Sequence, residues 1–235
     1  MINKPVTIVV IDSGIDVSKS DLAKYVKKST SFIVNDEGYI AENKSLKSRH
    51  EHGTAIAMII RDICENVEFI SVNILNERLT TDGRVLIHAF RAALLYKPDI
   101  IHLSLGTTHW RYKLPLKKLV KEATKNGVII VSAANNEGIT SYPASIKGVV
   151  RVKGNSEINK TDFFYNNVFF NAPMGTKNIR GISELEHSDR AVGNSMAAAY
   201  ITGHIAMNYN HKSTEVVEDF IEKIKLLSIK KECFK

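Results

Sequence analysis

Residues 6–16 read VTIVVIDSGID, and the fold class follows from them. Val6 to Ile11 lack the polar alternation of a half-exposed strand, which is the pattern of a strand covered on both faces. Asp12-Ser13-Gly14 then ends the run with turn-forming residues. Similar runs recur as NVEFISVNIL at 66–75, DIIHLSL at 99–105 and GVIIVSAA at 127–134. Helical patterns separate them. One covers Arg84–Tyr96 and stops before Pro98. Another covers Pro115–Asn126, with Pro at its first position, Leu116, Leu119, Val120 and Ala123 on one face, and Gly127 as C-cap. Strand and helix in alternation predict an α/β fold with a mainly parallel sheet and helices on both faces.

Further along, residues 146–189 are less regular. KGVVRVKG (147–154) and NVFFNAP (167–173) read as short strands, and NIRGISELEHSDR (178–190) as a polar loop. A helix is expected to begin near Ser195. A last amphipathic helix is expected at about 213–228, capped by Ser213, with Val217, Phe220, Ile221 and Ile224 facing inward. No Pro/Gly/Ser-rich linker and no internal repeat interrupts the chain, so residues 1–235 are expected to form a single domain.

Composition narrows the class. With 44% hydrophobic and 24% charged residues, the 235-residue chain is neither disordered, collagen-like nor coiled-coil. No apolar run approaches the roughly 20 residues of a membrane helix, and the N-terminus has no signal-like segment, so a cytoplasmic protein without a membrane partner is expected. The two cysteines, Cys64 and Cys233, are far apart and fit no metal spacing, which suits a reducing compartment. The formal charge of +7 admits an acidic partner. The basic residues are scattered, however, without an aromatic-interleaved stripe, and solvated faces are the better reading than nucleic acid.

Four residues could carry chemistry. Asp12 ends an apolar strand, at the sheet edge where open α/β folds place their sites; a turn or capping aspartate is the alternative. His52, in HEHGTAIAM, begins a helix, whose dipole disfavours the cation and keeps the imidazole a base. It could also be a surface histidine beside His50 and Glu51, and a lone His-x-His is weak support for zinc. Ser195, in GNSMAAAYITG, sits at a helix start where backbone N–H groups could hold a developing oxyanion; a capping serine would look the same. Asn136 follows the 127–134 run and could donate from its amide, or serve as a turn residue ahead of Gly138.

The order of these residues discriminates among serine hydrolases. An α/β-hydrolase would run Ser, Asp, His with GxSxG, which is absent, and a chymotrypsin-like chain would run His, Asp, Ser on an all-β scaffold. This chain runs Asp12, His52, Ser195. With IDSGID (11–16), HGT (52–54), HLSLG (102–106), AANNEG (133–138), SYPA (141–144), APMG (172–175) and GNSMA (193–197), it resembles the subtilisin-like serine proteases, or subtilases, over about residues 5–210.

That resemblance implies a three-layer α/β/α sandwich and a serine endopeptidase without a metal or other cofactor. It gives Asp12 the role of orienting His52, His52 that of general base and acid, and Ser195 that of nucleophile. Asn136 becomes the oxyanion-hole amide. Ser104, Leu105 and Gly106 match the edge that pairs with an extended peptide or protein substrate. Ala133, Ala134 and Asn135 match the opposite wall of the S1 pocket, with Ser141 near its base.

The chain departs from the family pattern at Ala55, where a histidine is usual, and at Ala198-Ala199, where Ser-Pro is usual; neither position performs the chemistry. Asn135 replaces a glycine and is expected to narrow or polarise S1, and Glu137 at the rim to favour a basic P1 residue. Asp21 matches one family calcium ligand, but its partners and the long loop after the histidine helix are missing, so no tight calcium site is expected. The absence of a pro-segment suggests unaided folding and narrow specificity, such as removing the leader from a ribosomally made peptide. The competing reading is an inactive subtilase fold that binds peptides.

Overall fold

The computed structural model describes residues 4–42, 48–159, 162–211, 213 and 215–228. The apolar run at 6–16 forms strand β1 (Val6–Asp12), every residue of which is buried. In chain order there follow β2 (Val26–Val34), β3 (Ile40–Glu42), helix α1 (His52–Ile63), β4 (Val67–Asn73), α2 (Gly83–Leu95), β5 (Ile100–Leu103), α3 (Lys113–Lys125) and β6 (Ile129–Ala133). The chain continues with β7 (Val149–Asn155), β8 (Phe164–Tyr165), β9 (Phe170–Pro173), α4 (Asn194–Asn208) and α5 (Val217–Leu226).

The strands make one sheet in the order β3-β2-β4-β1-β5-β6-β7-β9-β8. All pairings are parallel except the two edge pairs, β2 with β3 and β8 with β9. Alternation along β1 sends Val6, Ile8 and Val10 into a core shared with α1, α4 and α5, and Val9 and Ile11 into a second core with α2 and α3. Covering both faces produces the three-layer α/β/α sandwich. Each fully buried Ile, Met or Phe contributes about 1.5–3 kcal/mol relative to exposure, which is why the interior strands need no polar alternation.

β1 lies between β4 and β5. The chain leaves β1 for β2 and β3 and comes back through α1 to β4 to build one flank, then crosses through α2 to β5 to build the other. The carboxyl end of β1 is therefore a topological switch point, where the loops on either side part and leave a crevice. Asp12 is its last residue.

Several boundaries differ from the sequence expectation. α3 begins at Lys113, so Pro115 lies within the first turn, where the missing N–H is equally harmless. α5 begins at Val217 rather than near 213, and Ser213 Oγ accepts from Glu215 N at 3.2 Å in a turn instead of capping the helix. The polar loop at 178–190 contains two short 3-10 turns, Ile182–Glu184 and Ser188–Arg190. Strands β2 and β3 lie outside the apolar runs because β2 is half-exposed, with Lys27 and Lys28 facing solvent. Cys64 is a buried free thiol, and Cys233 lies outside the described residues. Among the described residues no helix is long and apolar enough to cross a membrane.

Candidate active site

Asp12 is 1% exposed, and a carboxylate so placed must be compensated. His52 supplies most of the compensation, with Nδ1 at 2.8 Å from Oδ1 and 3.0 Å from Oδ2. Ser13 N donates to Oδ1 at 2.7 Å, and the Ser104 hydroxyl donates to Oδ2. Burial is the largest single influence on this carboxyl and pushes its pKa up. The charge and hydrogen bond of His52, with the Ser104 and Ser13 bonds, outweigh it and hold the value at about 2. The acid is therefore ionised and can only accept, so His52 Nδ1 carries a proton and Nε2 is left as the acceptor in the neutral ring. Burial disfavours the imidazolium, but Asp12 wins, and the pKa of His52 is raised.

The start of α1 is fastened to the end of β1 by one side chain. The Ser13 hydroxyl donates to His50 O at 2.8 Å and accepts from Gly53 N at 3.0 Å. A Cβ on Gly53 would lie 2.4 Å from Gly14 O and 3.1 Å from Asp12 Oδ1, so only glycine lets the helix approach closely enough for His52 to reach Asp12. His50 Nδ1 accepts from His52 N at 3.0 Å. Burial, then the neighbouring His52, push the pKa of His50 down and favour the neutral acceptor that this bond requires. Glu51 accepts from the backbone N–H groups of Glu186 and His187 at 2.9 and 3.0 Å, fastening the 185–187 turn beside the cleft.

Ser195 is the second residue of α4, so its N–H belongs to the helix's first turn, where no intrahelical acceptor is available. Its hydroxyl donates to Ser104 O at 3.0 Å. No hydrogen bond between this hydroxyl and His52 Nε2 is present among the described residues. Gly193, at φ 137°, turns the chain into the helix in a conformation that L side chains rarely adopt. Asn136 Oδ1 accepts from Asn194 N at 3.2 Å, which fixes the face of the amide and leaves Nδ2 as its donor end.

His52, Ser195, Asn136, the Ser104–Gly106 edge, Ala133–Asn135 and Ser141 all line one cleft of about 470 Å³. The candidate catalytic and substrate-binding residues thus meet at one cleft, with Asp12 buried behind His52. One expectation about the pocket changes, that for Glu137. Asn135 lines the cleft while its Oδ1 accepts from Glu137 N at 2.7 Å, which leaves Nδ2 as the remaining polar end of its amide. Glu137 lines not this cleft but the adjoining groove, with Leu79, Arg111 and Ile139. Asp21, the family-matched calcium position, pairs with Lys24 Nζ at 2.9 Å. Among the described residues no group of three or more His, Cys, Asp or Glu is disposed to hold a metal.

Asn194 was not singled out in the sequence, although it lies within GNSMA. Its Nδ2 donates to Ala134 O at 3.1 Å and Asn135 O at 3.3 Å, and its Oδ1 accepts from Gly154 N at 2.7 Å. The neighbouring serine was the only available signal. His102 was also passed over. It is fully buried behind the site, with Nδ1 at 2.8 Å from Thr202 Oγ1, and burial lowers its pKa to about 4.

A hydroxyl, an imidazole and a buried carboxylate sharing a cleft with an amide donor at the switch point of a parallel sheet form the site of a serine hydrolase. Residues 3–224 match the subtilase family, and the chain belongs to it: it is a subtilisin-like serine protease. It is 28% identical over 223 residues to the major intracellular serine protease of Bacillus subtilis (strain 168), covering 87% of this chain and 68% of that protein. It is 29% identical over 185 residues to the minor extracellular protease Epr of the same organism, covering 72% of this chain but only 27% of that protein. Among solved structures, the crystal structure of a lanthipeptide protease superposes with a TM-score of 0.66 at 20% identity, over 94% of this chain and 80% of that one, a likeness of fold.

Proposed function

We propose that this chain is a serine endopeptidase in which Asp12, His52 and Ser195 act together on a peptide bond. The two contacts from His52 Nδ1 to the buried Asp12 carboxylate, in the cleft that holds Ser195, carry this reading. Ser195 Oγ attacks the scissile carbonyl carbon while its proton passes to His52 Nε2, and the imidazolium formed is stabilised by Asp12. The carbonyl oxygen becomes an oxyanion that accepts from Asn136 Nδ2 and Ser195 N–H. Collapse breaks the C–N bond, the leaving amine takes the proton from Nε2, and water then releases the acyl group by the same route, with His52 again the base. An extended substrate pairs with the Ser104–Gly106 edge and places its P1 side chain against Ala133–Asn135, with Ser141 beneath.

Labelling with a fluorophosphonate probe tests the chemistry. The wild type is expected to be labelled and Ser195→Ala not, and a wild type without Ser195-dependent labelling sinks the proposal. The alternative is a peptide-binding protein that does not cut. The observation in its favour is the Ser195 hydroxyl turned to Ser104 O, and the same experiment separates the two readings.

The substrate we infer is a specific peptide or protein, with removal of a leader from a ribosomally made peptide as the leading case, inside the cell. The named activity of the lanthipeptide protease and the named location of the intracellular relative support this. A proteome-wide cleavage profile is expected to return few sites, and broad cutting of unrelated proteins would count against narrow specificity.

A further inference from the structure

We infer that Asn194 is a positioning residue that sets the oxyanion amide against the nucleophile, an inference that rests on the catalytic reading of Asn136 and Ser195. Asn194 is 7% exposed, so all three polar positions of its side-chain amide need partners within the protein. They find them on two strands rather than on its own helix: the carbonyls of Ala134 and Asn135, just past β6, accept from Nδ2, and Oδ1 accepts from Gly154 N on β7. The cap position of α4 is Gly193 and has no side-chain cap, so Asn194 does not serve the helix start.

Its backbone completes the arrangement. Asn194 N–H donates to Asn136 Oδ1, one residue beyond the carbonyls that the side chain grips. Segment 134–136 is therefore held to residue 194 at three points, and residue 194 is bonded covalently to Ser195. Ala134 N also donates to Val152 O on β7 at 2.8 Å, so the strand ladder holds the base of the segment while the bonds to Asn194 tie residues 135 and 136 to the nucleophile. A hydroxyl or methyl side chain here cannot donate to two carbonyls and accept from a third backbone group at once. Asn136 itself is exposed on its loop, so its own burial does not substitute for this grip. Without it the segment keeps one link to Asn194, and the amide loses the alignment on which oxyanion stabilisation depends.

The test is a double-substitution cycle read by saturation kinetics of fluorophosphonate labelling, with melting temperatures recorded throughout. Phosphonylation places charge on an oxygen at the same donors, so it reports their alignment without requiring the natural substrate. Asn194→Ala is expected to lower the maximal labelling rate roughly tenfold with little change in the half-saturating probe concentration. In an Asn136→Ala background the same substitution is expected to have almost no further effect, because its route to the reaction is gone. Asn194→Ser is read in the same way should alanine prevent folding. Equal losses in both backgrounds, or an unchanged maximal rate in a folded Asn194 variant, overturn the inference and leave the protease reading intact. A folded wild type that shows no Ser195-dependent labelling overturns the reading and the inference together.

Discussion

The two sides of the cleft differ in how far their chemistry is assembled. On the β1 and α1 side every bond is in place: Asp12 is buried, has its pKa held down at about 2, and holds His52 through both oxygens. On the α4 side the proton of the proposed nucleophile, Ser195, is directed to a backbone carbonyl, Ser104 O, and the Asn136 amide proposed for the oxyanion lies on an exposed loop gripped from beneath by Asn194. The contrast is physical. A buried carboxylate must be satisfied in the resting state or the chain does not fold, whereas a hydroxyl and an amide that will meet substrate must keep capacity in reserve. Catalytic hydrogen bonds are commonly completed only when substrate displaces the resting partner.

Substitutions at the assembled side are expected to have the largest effects. Asp12→Asn keeps the shape but presents an NH₂ to His52 Nδ1, forcing the tautomer whose Nε2 bears hydrogen and cannot take the Ser195 proton. A loss in labelling rate of about 10⁴-fold is expected. A loss below tenfold would mean that His52 is not oriented through Asp12. On the α4 side, Asn136→Ala is expected to lower the maximal rate about 10²–10³-fold with only a small drop in melting temperature, because the exposed amide supplies one oxyanion donor and accepts one hydrogen bond, from Asn194 N. An unchanged rate would show that Ser195 N–H acts without the amide.

The Asp12–His52 pair also sets a pH dependence. The pKa of His52 is raised in the folded chain, so its contribution to stability is fully present below the ordinary histidine value and is lost as pH rises through the folded value. The pKa of Asp12 is depressed, so its contribution is present above the ordinary carboxylate value and is lost as pH falls toward about 2. In the proposed mechanism labelling requires neutral His52. It is therefore expected to rise over the pH range in which the pair's stabilisation fades, with a midpoint above that of an ordinary histidine. Titration of the His52 ring by NMR, compared with Asp12→Asn, checks the cause: the midpoint is expected to fall in the variant, and an unmoved midpoint would remove Asp12 as the source of the shift.

The same contrast explains what could be read from the sequence. The interior strands were legible because burial on both faces writes an unbroken apolar run, as in Val6–Ile11. β2 was not, because an edge-side strand with Lys27 and Lys28 in solvent carries no such mark. Asp12, His52, Asn136 and Ser195 were legible because each stands at the end of a recognisable element and belongs to a family motif. Ser13 and Asn194 fasten the site through contacts 37 to 60 residues away in the chain, to His50, Gly53, Ala134, Asn135 and Gly154, and no local pattern encodes such partners. Asn135 lines the cleft, and the bond its Oδ1 accepts from Glu137 N belongs to a local turn that alignment to a family motif does not specify.

Ser104 joins the two sides, and its substitution is expected to have the smallest effect. Its hydroxyl donates to Asp12 Oδ2, while its carbonyl holds the Ser195 hydroxyl. Ser104→Ala removes the first link and keeps the second. Asp12 retains His52 and Ser13 as donors, so its pKa is expected to rise only partway, and one hydrogen bond to a charged group is lost from a site with others in reserve. A labelling rate lowered about two- to tenfold is expected, with no change in the half-saturating probe concentration. A loss as large as that of Asp12→Asn would place the Ser104 hydroxyl on the proton's route, making the two sides of the cleft one continuous network. No loss at all would mean that His52 and Ser13 alone suffice to fix the carboxylate, and that Ser104 matters to the reaction only through its main chain.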